Sequence, residues 1–275
     1  LVCVPDAAKI DVLGHLLTHG KHVLVEKPVV GPDDGEIQRL ADLARARSVV
    51  CYTAYNHRFE PHLARLKEVI DAGTLGEVYL VQGFYGNGTA RDVRASPWRD
   101  RGLGVLPDLG SHLLDLCLFY FGTPTSRPEV WSANRFENAA FDHLLFGFGG
   151  RPTLEFEVTL LSWRNTFWFN VYGERGSAHV TGLCKWGPST LTVRERMLPS
   201  GKPAEWSETL EQRDPTWAAE YRHFLTLCQQ GGTNLDNDFW INGALHEMSR
   251  AIGVPMSEMA VDSTGLSSRA GRTAQ

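Results

Sequence analysis

Cysteine is sparse and unpatterned in this 275-residue sequence. The five cysteines (Cys3, Cys51, Cys117, Cys184 and Cys228) are scattered, odd in number and free of any Cys-x-x-Cys pair, which leaves neither a disulfide framework nor a zinc ribbon. No apolar run approaches the ~20 residues needed to cross a bilayer. Basic residues do not predominate: 27 Lys and Arg face 32 Asp and Glu, for a formal net charge of −5. That balance argues against nucleic acid or an anionic membrane as the main partner. No basic leader opens the chain, which starts on Leu1-Val-Cys-Val-Pro5, so reduced thiols in a cytoplasmic protein are expected. What remains is a hydrophobic content of 43% with 21% charged residues, the balance of a globular protein of one large domain or two ordinary ones.

The first third alternates apolar strands with amphipathic helices. Leu1 to Val4 reads as a strand, and Asp6 as a cap for a helix over 7–19 with Ile10, Leu13, Leu16 and Leu17 on one face. His22 to Val25 is a short apolar run between Gly20 and Pro28. A second helix is expected over 35–47 and a third strand over 48–54. This order is half of a doubly wound parallel sheet. Right-handed crossovers place the strand ends on one edge, which then carries Pro5, Glu26-Lys27-Pro28 and Tyr55-Asn-His-Arg58. Ligands bind outside the carboxyl ends of such strands. Lys27 is therefore a candidate proton donor or electrostatic anchor, although an ordinary surface Lys–Glu pair would look the same locally.

Further on, a helix over 62–72 leads through Gly73-Thr-Leu-Gly-Glu-Val78 into a long strand over 78–85. The stretch 91–104 reads as a loop rich in Arg, Gly, Pro and Trp, including Pro97-Trp98-Arg99. Then comes Asp108-Leu-Gly-Ser-His112-Leu-Leu-Asp115, read as a helix beginning at Asp108. Four residues separate Asp108 from His112, so both side chains share a face. Asp115, three residues further, is placed to hold the imidazole. A neutral His held by a carboxylate suits a general base that takes a hydroxyl proton. A capping Asp108 and a core His112 would give the same pattern. No second His or Cys cluster completes a metal site, so none is expected.

Beyond Gly122 short alternating strands dominate, over 129–136, 141–148, 153–161, 166–172, 177–181 and 190–196. Leu154-Glu-Phe-Glu-Val158 and Phe167-Trp-Phe-Asn-Val171 are clear cases. They predict a large, mostly antiparallel sheet. Its aromatic residues (Trp163, Phe167, Trp168, Phe169, Tyr172) mark either a subunit interface or a face covered by helices. Helices are expected over 216–230, with Trp217, Tyr221, Phe224, Leu225 and Cys228 inward, and over 238–252. The Ser-, Gly- and Arg-rich tail reads as disordered.

Taken together, Pro5, Gly20-Lys-His-Val-Leu-Val-Glu-Lys-Pro28 and Tyr55-Asn-His-Arg58 resemble the Gfo/Idh/MocA family of NAD(P)-dependent oxidoreductases. The resemblance implies a Rossmann-like part over 1–56 and a substrate-binding, oligomerising α+β part over 57–262, with the tail over 263–275. It implies NAD or NADP as cofactor, with Pro5, Glu26, Lys27, Pro28 and Asn56 near it. It implies a sugar, inositol or related polyol as substrate, and a homo-oligomer formed through the open sheet. The Glu-Lys-Pro motif and Asp-x-Gly-x-His put Lys27, Asp108 and His112 in the catalytic roles: Lys27 polarising the hydroxyl, Asp108 positioning it, His112 taking its proton. Arg58 and Trp98 are further candidates for substrate contact. The sequence departs from the family pattern in three places. Lys9 stands where the family often has His. Gly102-Leu-Gly104 replaces a run of three glycines. The Gly-x-Gly-x-x-Gly turn precedes nothing here, so the chain reads as a fragment or as a protein without that turn. Two alternatives on the same scaffold are an NAD-dependent glycosidase and a non-catalytic binding homologue.

Overall fold

The computed structural model describes residues 1–255. The expected tail over 263–275 lies outside the described residues. The chain opens with helix α1 (Asp6–Thr18), which buries Lys9, Ile10, Leu13 and Leu17. Strand β1 (Val23–Glu26), helix α2 (Asp34–Ala46) and strand β2 (Cys51–Ala54) follow. Asp33 caps α2, its carboxylate accepting from the backbone N–H of Glu36 at 3.2 Å. β1 and β2 pair in parallel with Val23 opposite Cys51. The expected strand over Leu1–Val4 shrinks to a single bridge, Val2 to Val25. Pro5 and the start of α1 stop it from running further.

After a 3₁₀ turn at Asn56–Phe59 and helix α3 (Pro61–Asp71), strand β3 (Val78–Gly86) enters the second sheet. A short helix α4 (Ala90–Arg94) lies in the stretch read as a loop. Helix α5 (Ser111–Phe121) precedes strands β4 (Pro128–Asn134), β5 (His143–Phe148), β6 (Thr153–Thr159), β7 (Thr166–Gly173), β8 (Gly176–Thr181), β9 (Ser189–Glu195) and β10 (Glu205–Leu210). Spatial order is β10-β9-β8-β7-β3-β6-β5-β4. All neighbours are antiparallel except β3 and β6, which run parallel. The fold is thus α/β plus α+β: a small parallel sheet and a large, mostly antiparallel one.

Alternation decides the faces of the large sheet. Leu154, Phe156 and Val158 of β6 and Phe167, Phe169 and Val171 of β7 are buried, while Glu155, Glu157, Trp168 and Asn170 lie half-buried on the other side. Helix α5 covers the inner face with Leu113, Leu116 and Cys117. Gly83 permits that approach, because a Cβ there would sit 3.0 Å from Phe156 and 3.3 Å from Leu113.

Helices α6 (Thr216–Gln230) and α7 (Leu235–Ala251) complete the described chain. The inward face expected for α6 is corrected. Thr216, Glu220 and Phe224 are buried, whereas Trp217, Tyr221 and Leu225 are exposed. The helix docks by a polar contact, Asn56 donating to Thr216 Oγ1 at 2.9 Å, which turns the aromatic stripe outward. α7 packs Ile241, Leu245 and Met248 into the core of the large sheet. Its other contacts reach the small sheet. Asn234 accepts from Thr53 N at 2.7 Å, and Asn242 accepts from Gly31 N at 3.1 Å. Asp238 accepts from Thr53 Oγ1 at 2.7 Å and Tyr55 OH at 3.2 Å, while burial pushes its carboxyl up to about 7.

Candidate active site

A cleft of about 440 Å³ opens outside the carboxyl end of β1. One wall is the turn Val4 to Ala7 with Glu26, Lys27 and Pro28. The other is Val93, Trp98, Arg99, Arg101 and the turn from Gly104 to Asp108. Gly104 has φ +52°, and a Cβ there would lie 2.2 Å from the Phe141 carbonyl oxygen, so this tight turn requires glycine.

Lys27 spans the cleft. Its ammonium donates to the Asp108 carbonyl oxygen at 2.6 Å and to Asp108 Oδ1 at 3.0 Å. Arg99 approaches the other carboxylate oxygen at 3.6 Å. Burial works to raise the Asp108 pKa, but Lys27 and Arg99 outweigh it and hold the carboxyl below its ordinary value. Asp108 does not begin a helix. It lies in a π-turn, Leu106–Gly110, which runs straight into α5. Such turns recur at functional sites because they re-aim side chains and carbonyls. Lys9 is buried at the cleft wall, where it donates to the Pro28 carbonyl at 2.8 Å and pairs with Asp6 at 2.8 Å, so it braces the residue after Lys27.

His112 is 6% exposed, and its Nδ1 has no hydrogen-bond partner. Its expected carboxylate is elsewhere. Asp115 takes Arg58 instead, from Nε at 2.7 Å and from Nη2 at 2.6 Å. The correction has a simple cause. Asp115 is fully buried, and a guanidinium fork satisfies both of its oxygens where an imidazole would satisfy one. His112 instead stacks on His57, with ring centroids 4.0 Å apart. Burial, then His57, Lys27 and Lys185, drive its pKa well below the ordinary value, so the ring is neutral.

The predicted residues therefore divide. Pro5, Glu26, Lys27, Pro28, Trp98 and Asp108 line the cleft. Arg58 is committed to Asp115, and Asn56 to Thr216. His112, expected to point into the cleft with Asp108, is not among the lining residues; it lies behind them, with neighbours to which the sequence assigns no role. His57 lies beneath His112 with its own Nδ1 unpartnered. Lys185, from a 3₁₀ turn at Cys184–Trp186, contacts His57 Nε2 and Tyr85 OH, each at 3.3 Å. His57 sat inside a motif already singled out. Tyr85 and Lys185 carried no local signal, because only sheet pairing brings them to the site. Among the described residues no cluster of three or more metal-ligating side chains occurs, and no helix is long and apolar enough to cross a membrane.

The cleft fits the nicotinamide end of a dinucleotide. It lies outside the ends of parallel strands, and Val4, Pro5, Pro28 and Leu160 give it apolar walls beside the Lys27 ammonium. The Gly-rich turn that would cradle a pyrophosphate is not among the described residues.

Comparison with known proteins agrees with this geometry. Residues 1–55 match the model of an oxidoreductase family with an NAD-binding Rossmann fold, and residues 63–179 match a GFO/IDH/MocA C-terminal domain. The chain is 32% identical over 255 residues to bovine trans-1,2-dihydrobenzene-1,2-diol dehydrogenase, covering 86% of this chain and 72% of that enzyme. It is 33% identical to the NADP-dependent scyllo-inositol 2-dehydrogenase of Bacillus subtilis, over 88% of this chain and 64% of the relative. An uncharacterised oxidoreductase of Schizosaccharomyces pombe is 36% identical, but over only 46% of this chain and 34% of its own length. Levoglucosan dehydrogenase in complex with NADH and levoglucosan shares the fold, with a TM-score of 0.75 at 19% identity, covering 94% of this chain and 77% of that one. An NAD-binding oxidoreductase from Klebsiella pneumoniae gives a TM-score of 0.76 at 18% identity, covering 91% and 77%. With the Glu26-Lys27-Pro28 strand end facing Asp108 across one cleft, and relatives of this length and identity, the chain belongs to the Gfo/Idh/MocA family of NAD(P)-dependent oxidoreductases.

Proposed function

We propose that the cleft interconverts a secondary alcohol of a sugar, inositol or related polyol with its ketone, using NAD or NADP. The observation that carries this reading is Lys27 reaching across the cleft to both the carbonyl and the carboxylate of Asp108. A hydroxyl entering between them meets a donor and an ionised acceptor at once. The nicotinamide supplies the hydride acceptor when bound. Lys27 stabilises negative charge as it develops on the substrate oxygen. Asp108 orients the hydroxyl and shares its proton. His112, neutral and four positions on from Asp108, takes the proton in the oxidative direction. The dihydrodiol, inositol and levoglucosan specificities in the relatives' names support a substrate bearing vicinal or ring hydroxyls.

The same reading divides the chain into a nucleotide-binding part over 1–56 and a substrate part over 57–262, in the cytoplasm. It also makes the open face of the large sheet a homo-oligomer interface. Phe84 and Trp168 stack there with centroids 5.7 Å apart, beside the pairs Gln82–Glu155 and His143–Glu157. Light scattering after size exclusion tests that point, since a monomer would refute it.

Lys27→Met tests the catalytic assignment. Turnover should fall about 10²–10⁴-fold, the usual worth of one proton-handling or charge-stabilising group. Cofactor affinity, measured separately by nucleotide fluorescence, should change little. Unchanged turnover would remove Lys27 from the chemistry.

A further inference from the structure

Lys185 is a half-buried ammonium without a carboxylate at ion-pair distance among the described residues. It has three protons to donate. Two contacts are visible, both long and both to neutral groups: His57 Nε2 and Tyr85 OH, at 3.3 Å each. Aromatic rings enclose it further. Its nitrogen lies 4.4 Å from the Trp186 ring centroid and 5.6 Å from that of Tyr85. The charged groups bearing on it are Asp214, Glu60 and Asp108, which favour its charge, and Lys27, which opposes it. Asp214 is engaged with Thr216, from which its Oδ1 accepts the backbone N–H at 2.8 Å and the hydroxyl at 2.6 Å. Glu60 accepts from Cys184 N at 3.1 Å. Asp108 is held by Lys27.

This lysine belongs to the same electrostatic unit as the cleft. The charges of Lys27 and Lys185 both bear on both stacked imidazoles. Lys27 and Arg99 are both engaged with the Asp108 carboxylate, and both histidines are kept neutral. Lys185 is the cation left without an anion at ion-pair distance among the described residues. Burying a cation without a partner is costly, and a ligand that brings an anion recovers that cost.

We propose that Lys185 receives the carboxylate of the substrate, so that the preferred substrate is a polyhydroxy acid such as a uronic or aldonic acid rather than a neutral polyol. The inference rests on the oxidoreductase reading above and deepens it. In this proposal one hydroxyl sits between Lys27 and Asp108 and the acid group extends beyond the cleft lining towards Lys185, whose charge already bears on His112 and His57. A carboxylate fits better than a phosphate. The receptor is one ammonium with a single proton to spare, beside a phenol; Lys27 and Arg99 are taken by Asp108, so no second free cation stands with it to meet a dianion.

The test is calorimetric binding in the presence of NADH or NADPH, where an alcohol substrate cannot turn over. D-Glucuronate, D-galacturonate and D-gluconate are compared with D-glucose, D-galactose and D-glucitol. At pH 7 the best acid should bind at least about tenfold more tightly than its neutral counterpart, that is about 1.4 kcal/mol. Lys185→Met and Lys185→Gln should both bring the ratio close to one, and Lys185→Arg should keep most of it. The ratio should also fall as pH rises through about 8, where burial has brought the Lys185 pKa, because the neutral amine no longer attracts an anion. Equal affinity for acid and neutral sugar, no binding of any acid, or a ratio that survives in both uncharged variants would overturn the proposal. Failure of every one of these compounds to reduce nicotinamide in a separate assay would instead strike the oxidoreductase reading, while the affinity ratio would still decide the role of Lys185.

Discussion

Arg58 offers a sharp trial of structure against motif. By its place in Tyr55-Asn-His-Arg58 it is a candidate for substrate contact. By its geometry it is the counter-ion of Asp115, which is fully buried. Two short contacts bind the pair, and the guanidinium also lies over the Phe119 ring at 5.3 Å. Arg58→Ala would leave an uncompensated carboxylate in the core. Breaking such a pair from one side costs about 3–5 kcal/mol. For a chain of this size each kcal/mol moves the melting temperature by about 2–4 °C, so a drop of roughly 6–20 °C is expected. The loss should depend on pH. Burial already raises the Asp115 pKa against the pull of Arg58. Without Arg58 it rises further, so the folded state binds a proton that the unfolded state lacks. Stability of the variant then increases as pH falls through the folded pKa, and the deficit is greatest above it. Urea unfolding followed by tryptophan fluorescence between pH 5 and pH 8, with Asp115→Asn added to the variant as a partial rescue, measures each part. A variant with wild-type stability and a raised KM would refute the buried-pair account and restore Arg58 to the substrate.

His112→Asn should cut turnover by about 10²–10⁴-fold with little loss of stability, and a stability loss without a kinetic one would assign the imidazole to packing. Because burial and three neighbouring groups keep His112 neutral, its ring carbon-bound proton resonances should not titrate between pH 6 and pH 8, and a midpoint near the usual imidazole value would contradict its placement. Glu220 is buried with one carboxylate oxygen unpartnered, and burial pushes its pKa up to about 8. An acid raised in this way stabilises the fold least when ionised, so Glu220→Gln should flatten the decline in stability as pH rises from about 4.5 to 8; an unchanged slope would show the carboxyl to be hydrated. Gly104→Ala should lose about 1–3 kcal/mol from its positive φ and the contact with Phe141, read by thermal melting.

Much of this was legible from residue pattern. The apolar run ending in Glu26-Lys27-Pro28 forms β1, and the alternation of β6 and β7 assigns their faces correctly. Pairing was less legible. Nothing local distinguishes β3 running parallel to β6 from an antiparallel neighbour. β10 escaped notice because it lies at the sheet edge with nearly every residue exposed, so no apolar alternation marks it. The faces of α6 were misread because its docking surface is polar, with Thr216 and Glu220 inside. In the site, Asp108 and Lys27 were visible as motif residues. The partner of Asp115 was not, because a separation of 57 residues carries no spacing rule. Lys185 was invisible for the same reason.

Helix α7 sets how the cleft can admit a ligand. Its polar residues are anchored to the small sheet at Gly31, Thr53 and Tyr55, and its apolar face is sunk in the core of the large one. A rivet of this kind prevents the two sheets from swinging apart about the cleft. The open wall is the other one, where Trp98 stands 55% exposed and Arg101 has no ion-pair partner among the described residues. Entry and exit then pass over this exposed rim rather than through a hinge between the two sheets. Substitutions at Trp98 or Arg101 would then be felt in ligand entry and release, while the contacts that hold Lys27 opposite Asp108 lie deeper in the cleft.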